Sequence, residues 1–343
     1  MFIYKKVAKI FLIALIILCA SYCKSPNEPI KEKNKWEDIT FDLAGKKLKN
    51  IKQHKDKLYL STLHEIYQLT ENDWKLIIDA KSYYIADFEF NNDTLFVLTM
   101  TNELLYQSGD SLNLKYKISK PHIIDSKVLL FSNNDCYIGG TAQLPYKSGL
   151  SKLSKNGHQY DYLTENYNTS YFVHEIIEHK NKIYIGTLII TGYFVAELNL
   201  DNDILKPIGI KKNGYSFGAC YSMFSLGEQL LVGTKGKVLS YDDKYGWTIY
   251  KDKLPHIKDT ELKEKALCMD TKEDTLLVGT LYSGILYFDD SKESWVNFFN
   301  EGLPEDLAIN AIVAKDEGIY VLIGHYNFDD TFSNKIYRLT TAK

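Results

Sequence analysis

One short phrase recurs along this chain at a nearly constant interval, and that interval limits the fold more than any other property of the sequence. Its clearest copy is Asp274-Thr275-Leu276-Leu277-Val278-Gly279-Thr280 followed by Gly284-Ile285-Leu286-Tyr287-Phe288-Asp289. The same phrase returns as Glu228-Gln229-Leu230-Leu231-Val232-Gly233-Thr234 followed by Val238-Leu239-Ser240-Tyr241-Asp242. Weaker copies run from Asp56 to Thr62, Asp93 to Thr99, Asp135 to Thr141, Asn181 to Thr187 and Glu317 to His325. The closing Thr, or His325, falls at 62, 99, 141, 187, 234, 280 and 325, so the units are separated by 37, 42, 46, 47, 46 and 45 residues. Propeller blades repeat at roughly 40–50 residues.

Within a unit the order is an apolar stretch, a polar turn such as Lys272-Glu273-Asp274, a short apolar run ending in Gly-Thr, a loop, an alternating run, and often a Trp. After residue 30 no segment holds apolar residues at helical spacing for long, while 26 Tyr and 16 Phe favour strands. The expected fold is all-β, a seven-bladed β-propeller of four-stranded antiparallel blades. Its last unit supplies strands at Ile309–Ala314, Ile319–Ile323 and Lys335–Leu339, then ends one strand short. Trp74, Trp247 and Trp295 take outer-strand positions. Trp36 stands 26 residues before Thr62, as Trp74 stands 25 before Thr99. We therefore expect Trp36–Phe41 to pair beside Lys335–Leu339, so that the N-terminal strand closes the last blade.

The first residues are set apart from the fold. Lys5, Lys6 and Lys9 precede an apolar run, Ile10–Leu18, too short to span a bilayer comfortably, and Ala20 and Ser21 precede Cys23. This resembles a bacterial lipoprotein signal with Cys23 as the lipidated residue. Tyr22 and Ala20 depart from that pattern, which keeps ordinary signal-peptidase cleavage near Ala20–Tyr22 open. The polar stretch that follows, residues 24–35, argues against an uncleaved anchor. The expected organisation is a signal peptide over 1–22, a flexible tether over 23–35 and a single propeller over 36–343. Lipid anchoring to a bacterial membrane, the outer one foremost, is expected; otherwise the chain is periplasmic or secreted.

Without residues 1–22 the chain carries 38 basic and 44 acidic residues, a net charge of −6. No Lys-rich stripe is free of interleaved acids, so nucleic-acid binding is disfavoured. Arg338 is the one arginine, which removes the usual bidentate reader of carboxylate and phosphate. Cys136, Cys220 and Cys268 form no regular framework; they read as buried free thiols, with a Cys220–Cys268 bridge as the lesser alternative.

The run Gly302-Leu303-Pro304, with Ile309-Asn310-Ala311-Ile312, Gly318-Ile319-Tyr320-Val321 and Gly284–Asp289, resembles the two-component-regulator type of propeller repeat. Such repeats occur in periplasmic sensor regions of bacterial hybrid histidine kinases and in secreted lipoproteins. The similarity is good in the last two or three units and only a general rhythm over 43–215. The chain shows no internal transmembrane helix, sandwich domain or kinase, so the resemblance implies signalling through a partner.

In propellers the loop into the inner strand and the loop between the second and third strands share one face, around the mouth of the central channel. On this sequence they collect, among others, Tyr83, Tyr84, Tyr146, Tyr171, Phe172, His174, Tyr215, Tyr221, Tyr282, His325 and Tyr326, an aromatic face suited to a glycan, peptide or protein partner. The competing reading is that many of these rings pack blade against blade. Asp87, His174, Glu175 and Asp270 fall on inner strands near the channel, without spacing that forces metal geometry. No metal, cofactor or catalytic motif is expected. His174-Glu175-Ile176-Ile177-Glu178-His179 resembles a zinc helix superficially, but its histidines are five apart in a predicted strand. A monomeric, non-catalytic binding, sensing or scaffold propeller is the favoured reading. The alternative is a lyase or glycan-active enzyme on the same scaffold, with His174 and Glu175, or His325 and Asp329, as acid and base.

Overall fold

The computed structural model describes residues 35–340 apart from 72, 119–122, 143–148, 163–171, 188–194, 201–203, 209–218, 259, 306 and 327–331. Cys23 and the segments expected as signal and tether, up to residue 34, therefore lie outside the described residues. Five sheets have four antiparallel strands each, over residues 85–117, 123–161, 173–207, 222–253 and 266–297. A sixth sheet has eight strands. In it Ala308–Lys315, Gly318–His325 and Phe332–Thr340 meet the four strands of residues 48–79 through the pair Leu48–Ser333, and Lys35–Asp38 joins beside Phe332–Thr340. Apart from one short 3-10 turn, Phe41–Leu43, every element is a strand, and the architecture is a β-propeller.

Apolar cores lie between neighbouring sheets. Leu231 and Val238 pack with Ala266, Met269 and Val278 of the next sheet, for example, and Tyr184 and Val195 with Met223 and Val232. The Gly of the repeated Gly-Thr has a steric cause. A methyl group added at Gly233 would stand 2.5 Å from the Ala266 carbonyl oxygen, and one at Gly279 would stand 2.7 Å from Ile309 Cγ2. At Gly186 it would be 2.5 Å from Cys220 Sγ, and at Gly139 it would collide with Val173. Each of these partners belongs to the innermost strand of the next sheet or the residues just before it, so the glycine lets consecutive sheets close on each other at the centre. All three described cysteines are free, and burial pushes their thiols up.

All four tryptophans do one job. Trp74 Nε1 donates to the Ile39 carbonyl (2.9 Å), Trp247 to Ile208 (3.0 Å), Trp295 to Asp252 (2.9 Å) and Trp36 to Phe299 (2.6 Å). Each outer strand thereby grips the end of the preceding one. Trp36 does so from Lys35–Asp38, whose register with the C-terminal strand is Lys35–Thr340, Trp36–Leu339, Glu37–Arg338 and Asp38–Tyr337. The paired segment is shorter than expected from the sequence, ending at Asp38 instead of Phe41. Asp38 Oδ1 accepts the Thr40 N–H (2.9 Å), which turns the chain into Phe41–Leu43. One buried cluster joins Leu48, Leu60 and Trp74 to Val313, Leu322 and Ile336, so the two ends of the described chain share a core.

Removing Lys35–Asp38 should strip the pairing partner from Phe332–Thr340 and lower the melting temperature steeply. Trp36→Phe, which deletes the indole N–H bond and part of a buried ring, should cost about 1–3 kcal/mol. Gly233→Ala should cost about 1–3 kcal/mol through overpacking against Ala266. Urea titrations read all three, and an unchanged midpoint for the deletion would refute the role given to this strand.

Candidate functional site

The inner strands Ile85–Asn91, Ile123–Ser132, Val173–His179, Ser222–Leu226 and Ala266–Lys272, together with Leu48–His54 and Ala308–Lys315, border one cavity of about 780 Å³. In all of these strands except Ser222–Leu226 the ladder to the second strand is interrupted near the cavity. The shifts fall between Leu48 and Ile51, Ile85 and Asp87, Ile123 and Ser126, Val173 and Glu175, Ala266 and Cys268, and Ile309 and Ala311. A bulge re-aims the side chain it carries. Ala86, His174, Leu267 and Asn310 occupy these bulges and line the cavity. His174 and Glu175 are consecutive and would face opposite sides of an uninterrupted strand; the bulge brings both to the same space.

The cavity has two unlike walls. One carries Lys49, Lys52, Asp87, Glu89, Lys127, His174 and Glu175; the other is uncharged, with Tyr221, Met223, Leu267, Cys268, Met269, Asn310 and Tyr326. Lys52 Nζ donates to Asp87 (3.1 Å) and Glu89 (3.0 Å), and Asp87 also accepts from Asn50 Nδ2 (3.1 Å) and the N–H groups of Phe88 (2.8 Å) and Leu129 (3.0 Å). Burial alone would lower the Lys52 ammonium, but the Asp87 and Glu89 carboxylates outweigh it and hold the group above its ordinary value. Glu175 has no hydrogen bond or ion pair among the described residues; burial pushes its carboxyl up to about 8, against the pull of Lys52 and with the help of Asp87. Burial pushes His174 down to about 4, opposed by its bond to the Tyr221 backbone and aided by Lys127. At neutral pH His174 is thus an uncharged imidazole and Glu175 a protonated carboxyl, two groups on the same cavity capable of acid–base chemistry. Among the described residues no three His, Cys, Asp or Glu side chains converge to hold a metal ion.

Of the residues singled out in the sequence, Asp87, Phe172, His174, Glu175, Tyr221 and Tyr326 line this cavity, and Phe172 is 43% exposed. Tyr326 meets Tyr221 edge-on, ring centroids 6.1 Å apart, and Lys265 Nζ lies 5.2 Å from each ring. Tyr84 and Tyr282 are exposed outside the cavity lining, and His325 is exposed with its ring 5.9 Å from Phe332. Tyr83 is a packing residue: it sits against the core between the first two sets of strands, and its carbonyl bonds the His64 ring (2.8 Å). Tyr146, Tyr171, Tyr215 and Asp329 lie outside the described residues. Asp270, expected near the channel, instead accepts the N–H groups of Ala314 (2.8 Å) and Thr271 (2.7 Å), a link between sheets. His179 turns away from His174 to bond Ser225 Oγ (2.7 Å).

Two features escaped the sequence reading. The Lys52–Asp87–Glu89 group joins residues 35 and 37 positions apart and has no local motif. Glu264 is fully buried without a cation and accepts from the N–H groups of Lys265, Leu281, Tyr282 and Ser283 and from Ser283 Oγ. It holds the loop that presents Tyr282.

No protein-family model and no curated protein sequence matches the chain. Solved structures do. The extracellular domain of a putative hybrid two-component system of B. thetaiotaomicron superposes with a TM-score of 0.66 at 13% identity, covering 90% of this chain and 40% of that one. Virginiamycin B lyase from Staphylococcus aureus gives 0.64 at 10% identity, with 90% and 99% covered. YCF48 from Cyanidioschyzon merolae gives 0.65 at 10% identity, with 89% and 99% covered, and another structure holds YCF48 bound to D1 peptide. The chain spans about two fifths of the first of these; at such identities the likeness establishes the fold alone.

Lys52→Met should strand Asp87 beside Glu89 and cost about 3 kcal/mol. The pH dependence has a defined sign. Glu175 keeps its proton from its ordinary 4.5 up to about 8, so its stabilising contribution is complete below 4.5 and is lost as pH rises through 8. His174 contributes fully above 6.5 and loses its contribution as pH falls toward 4. The two slopes oppose between 4.5 and 6.5, which leaves Glu175 alone from 6.5 to 8. Urea-unfolding stability should decline across that last window, and Glu175→Gln should flatten the decline.

Proposed function

We propose that this chain is an exported, seven-bladed propeller that holds a glycan, peptide or protein partner at the mouth of its central cavity and performs no catalysis. The observation that carries the reading is the single cavity bordered by seven inner strands, aromatic and apolar on one wall and charged on the other. That pairing suits a ligand with an apolar face and polar groups, because the rings supply contact area at low entropic cost while the charged wall orients the ligand. The N-terminal leader, Cys23 and the polar stretch after it support a lipid-anchored, tethered monomer at a bacterial membrane, the outer membrane foremost. The fold likeness to an extracellular sensor domain supports an extracytoplasmic, sensing or scaffold role through a partner.

A second reading is an enzyme, with Glu175 as acid and His174 as base. It is favoured by the bulge that brings both into the cavity with opposite proton affinities, and one structural neighbour is a lyase.

The chain from residue 23 onward, titrated calorimetrically with polysaccharide and peptide panels, should bind without releasing product. Tyr221→Ala and Tyr326→Ala should each weaken binding about tenfold, the equivalent of ~1.4 kcal/mol. Product formation abolished by His174→Ala would replace the binding reading with the enzymatic one.

A further inference from the structure

A knot of lysines surrounds Gly236, beside the aromatic edge of the cavity. Lys235 and Lys237 flank this glycine, whose φ of +81° suits Gly, and the Lys263 side chain lies across it, with Cδ 2.8 Å from where a Cβ would stand. Lys237 is opposite Lys253 in the ladder, and Lys235 forms a β-bridge with Lys265. The turn is fixed by bonds from the Gly236 N–H to the Glu264 carbonyl (2.6 Å) and from the Leu254 N–H to the Gly236 carbonyl (2.9 Å).

Among the described residues, Lys235, Lys253, Lys263 and Lys265 enter no ion pair. Glu264, which separates Lys263 from Lys265 in sequence, points inward with both oxygens occupied. The alternation of the strand thus sorts acid from base, and lysines that are interleaved with acids along the chain become a basic surface. Burial and then Lys263 and Lys253 lower Lys237; burial and then Lys235 lower Lys265, with Glu264 opposing only in part. Like charges facing each other across strands destabilise a sheet, so this arrangement weakens the protein unless something neutralises it.

We infer that the lysines around Gly236 bind an anionic saccharide, its carboxylate or sulfate groups meeting Lys235, Lys253, Lys263 and Lys265 and a sugar face resting on Tyr221 and Tyr326. The inference rests on the binding reading above and names its ligand class. Lysines act as separate point charges, which suits anions spaced along a sugar chain; the forked alternative is missing, since Arg338 is engaged with Glu37 (2.9 Å). The basic surface is confined to one turn and its two neighbouring strands, too short a track for a nucleic-acid backbone on a chain of net charge −3. Lys265, 5.2 Å from both tyrosine rings, joins the charged patch to the stacking surface.

The chain from residue 23 onward is titrated with polygalacturonate, dextran sulfate and uncharged dextran at low and high salt. The two charged polymers should bind in a salt-sensitive manner and dextran should not. The double variant Lys263→Gln/Lys265→Gln should weaken both by about tenfold while leaving the melting temperature equal or higher, because repulsion is relieved. Lys155→Gln, on the exposed turn between Leu150–Leu153 and Gln159–Asp161, should change nothing. Equal losses from Lys155→Gln, or dextran binding as tightly as dextran sulfate, would overturn the inference. Tighter binding of anionic vesicles, an acidic peptide or a single-stranded oligonucleotide through these lysines would overturn the ligand class. Binding of a neutral ligand that depends on Tyr221 but ignores Lys263 and Lys265 would sink the inference and spare the binding reading; no binding by any panel member would sink both.

Discussion

A sheet with two apolar faces has no stable place at the end of a row. Each sheet here buries one face against the sheet before it and the other against the sheet after it, and a linear stack would leave two faces and one strand edge in water. Joining the ends removes that cost. The Lys35–Asp38 strand pairs with Phe332–Thr340, Trp36 reaches the Phe299 carbonyl, and Trp74 reaches Ile39 just beyond Asp38. The side-chain cluster around Leu48 and Leu322 seals the same junction from within. Lys315 adds a further tie, donating to the Asp56 carbonyl (2.8 Å) across the join. The two chain ends therefore stabilise each other, and every other interface depends on their meeting.

The same requirement shapes the centre. Inner strands must approach closely, which is why Gly186, Gly233 and Gly279 leave no room for a methyl group. Crowded inner strands that also splay toward a common mouth strain their ladders, and in all but Ser222–Leu226 shifts such as those at Ile85–Asp87, Val173–Glu175, Ala266–Cys268 and Ile309–Ala311 relieve it. The bulges that satisfy the backbone are thus the devices that aim His174 and Asn310 into the cavity. The lining of this mouth is thus a by-product of closure geometry, set by whichever side chain occupies each bulge.

Much of the fold was legible because its cause is periodic. A spacing near 45 residues repeats throughout, a glycine recurs at one place in most units and a tryptophan at another in four of them, and Trp36 could be placed by its distance from Thr62 alone. The strand end at Asp38 was not legible, since it depends on the Asp38–Thr40 turn bond. The candidate site was less visible still. Bulges break the period-two alternation from which facing is read, so nothing in His174-Glu175 announced that both would face one space. Lys52 meets Asp87 only because two sheets stand side by side, and Asp270, with the same residue type and a similar position, is used up by the Ala314 N–H. Tyr83 and Tyr326 look alike in sequence, yet one packs a core and the other lines the cavity.

Interleaved acids hid the basic surface for a related reason. Along residues 261–265 the charges alternate Glu, Lys, Glu, Lys with one Leu between, which in solution would read as nearly neutral. A strand turns alternate residues to opposite sides, so Glu264 goes in and Lys263 and Lys265 go out. Glu264 is stable inside only because four backbone N–H groups and a hydroxyl satisfy it; the Lys265 N–H is its own neighbour's, and the other three and the hydroxyl come from the loop that carries Tyr282. One buried carboxylate thereby spends its hydrogen-bonding capacity chiefly on the loop, leaving only a partial electrostatic offset for Lys265 and forming no ion pair with Lys263 or Lys265. A protein selected for stability alone would pair Lys263 and Lys265 with an outward acid. The lysines that stand without one face like charges across strands, which is a local cost in stability that nothing in their sequence neighbourhood removes.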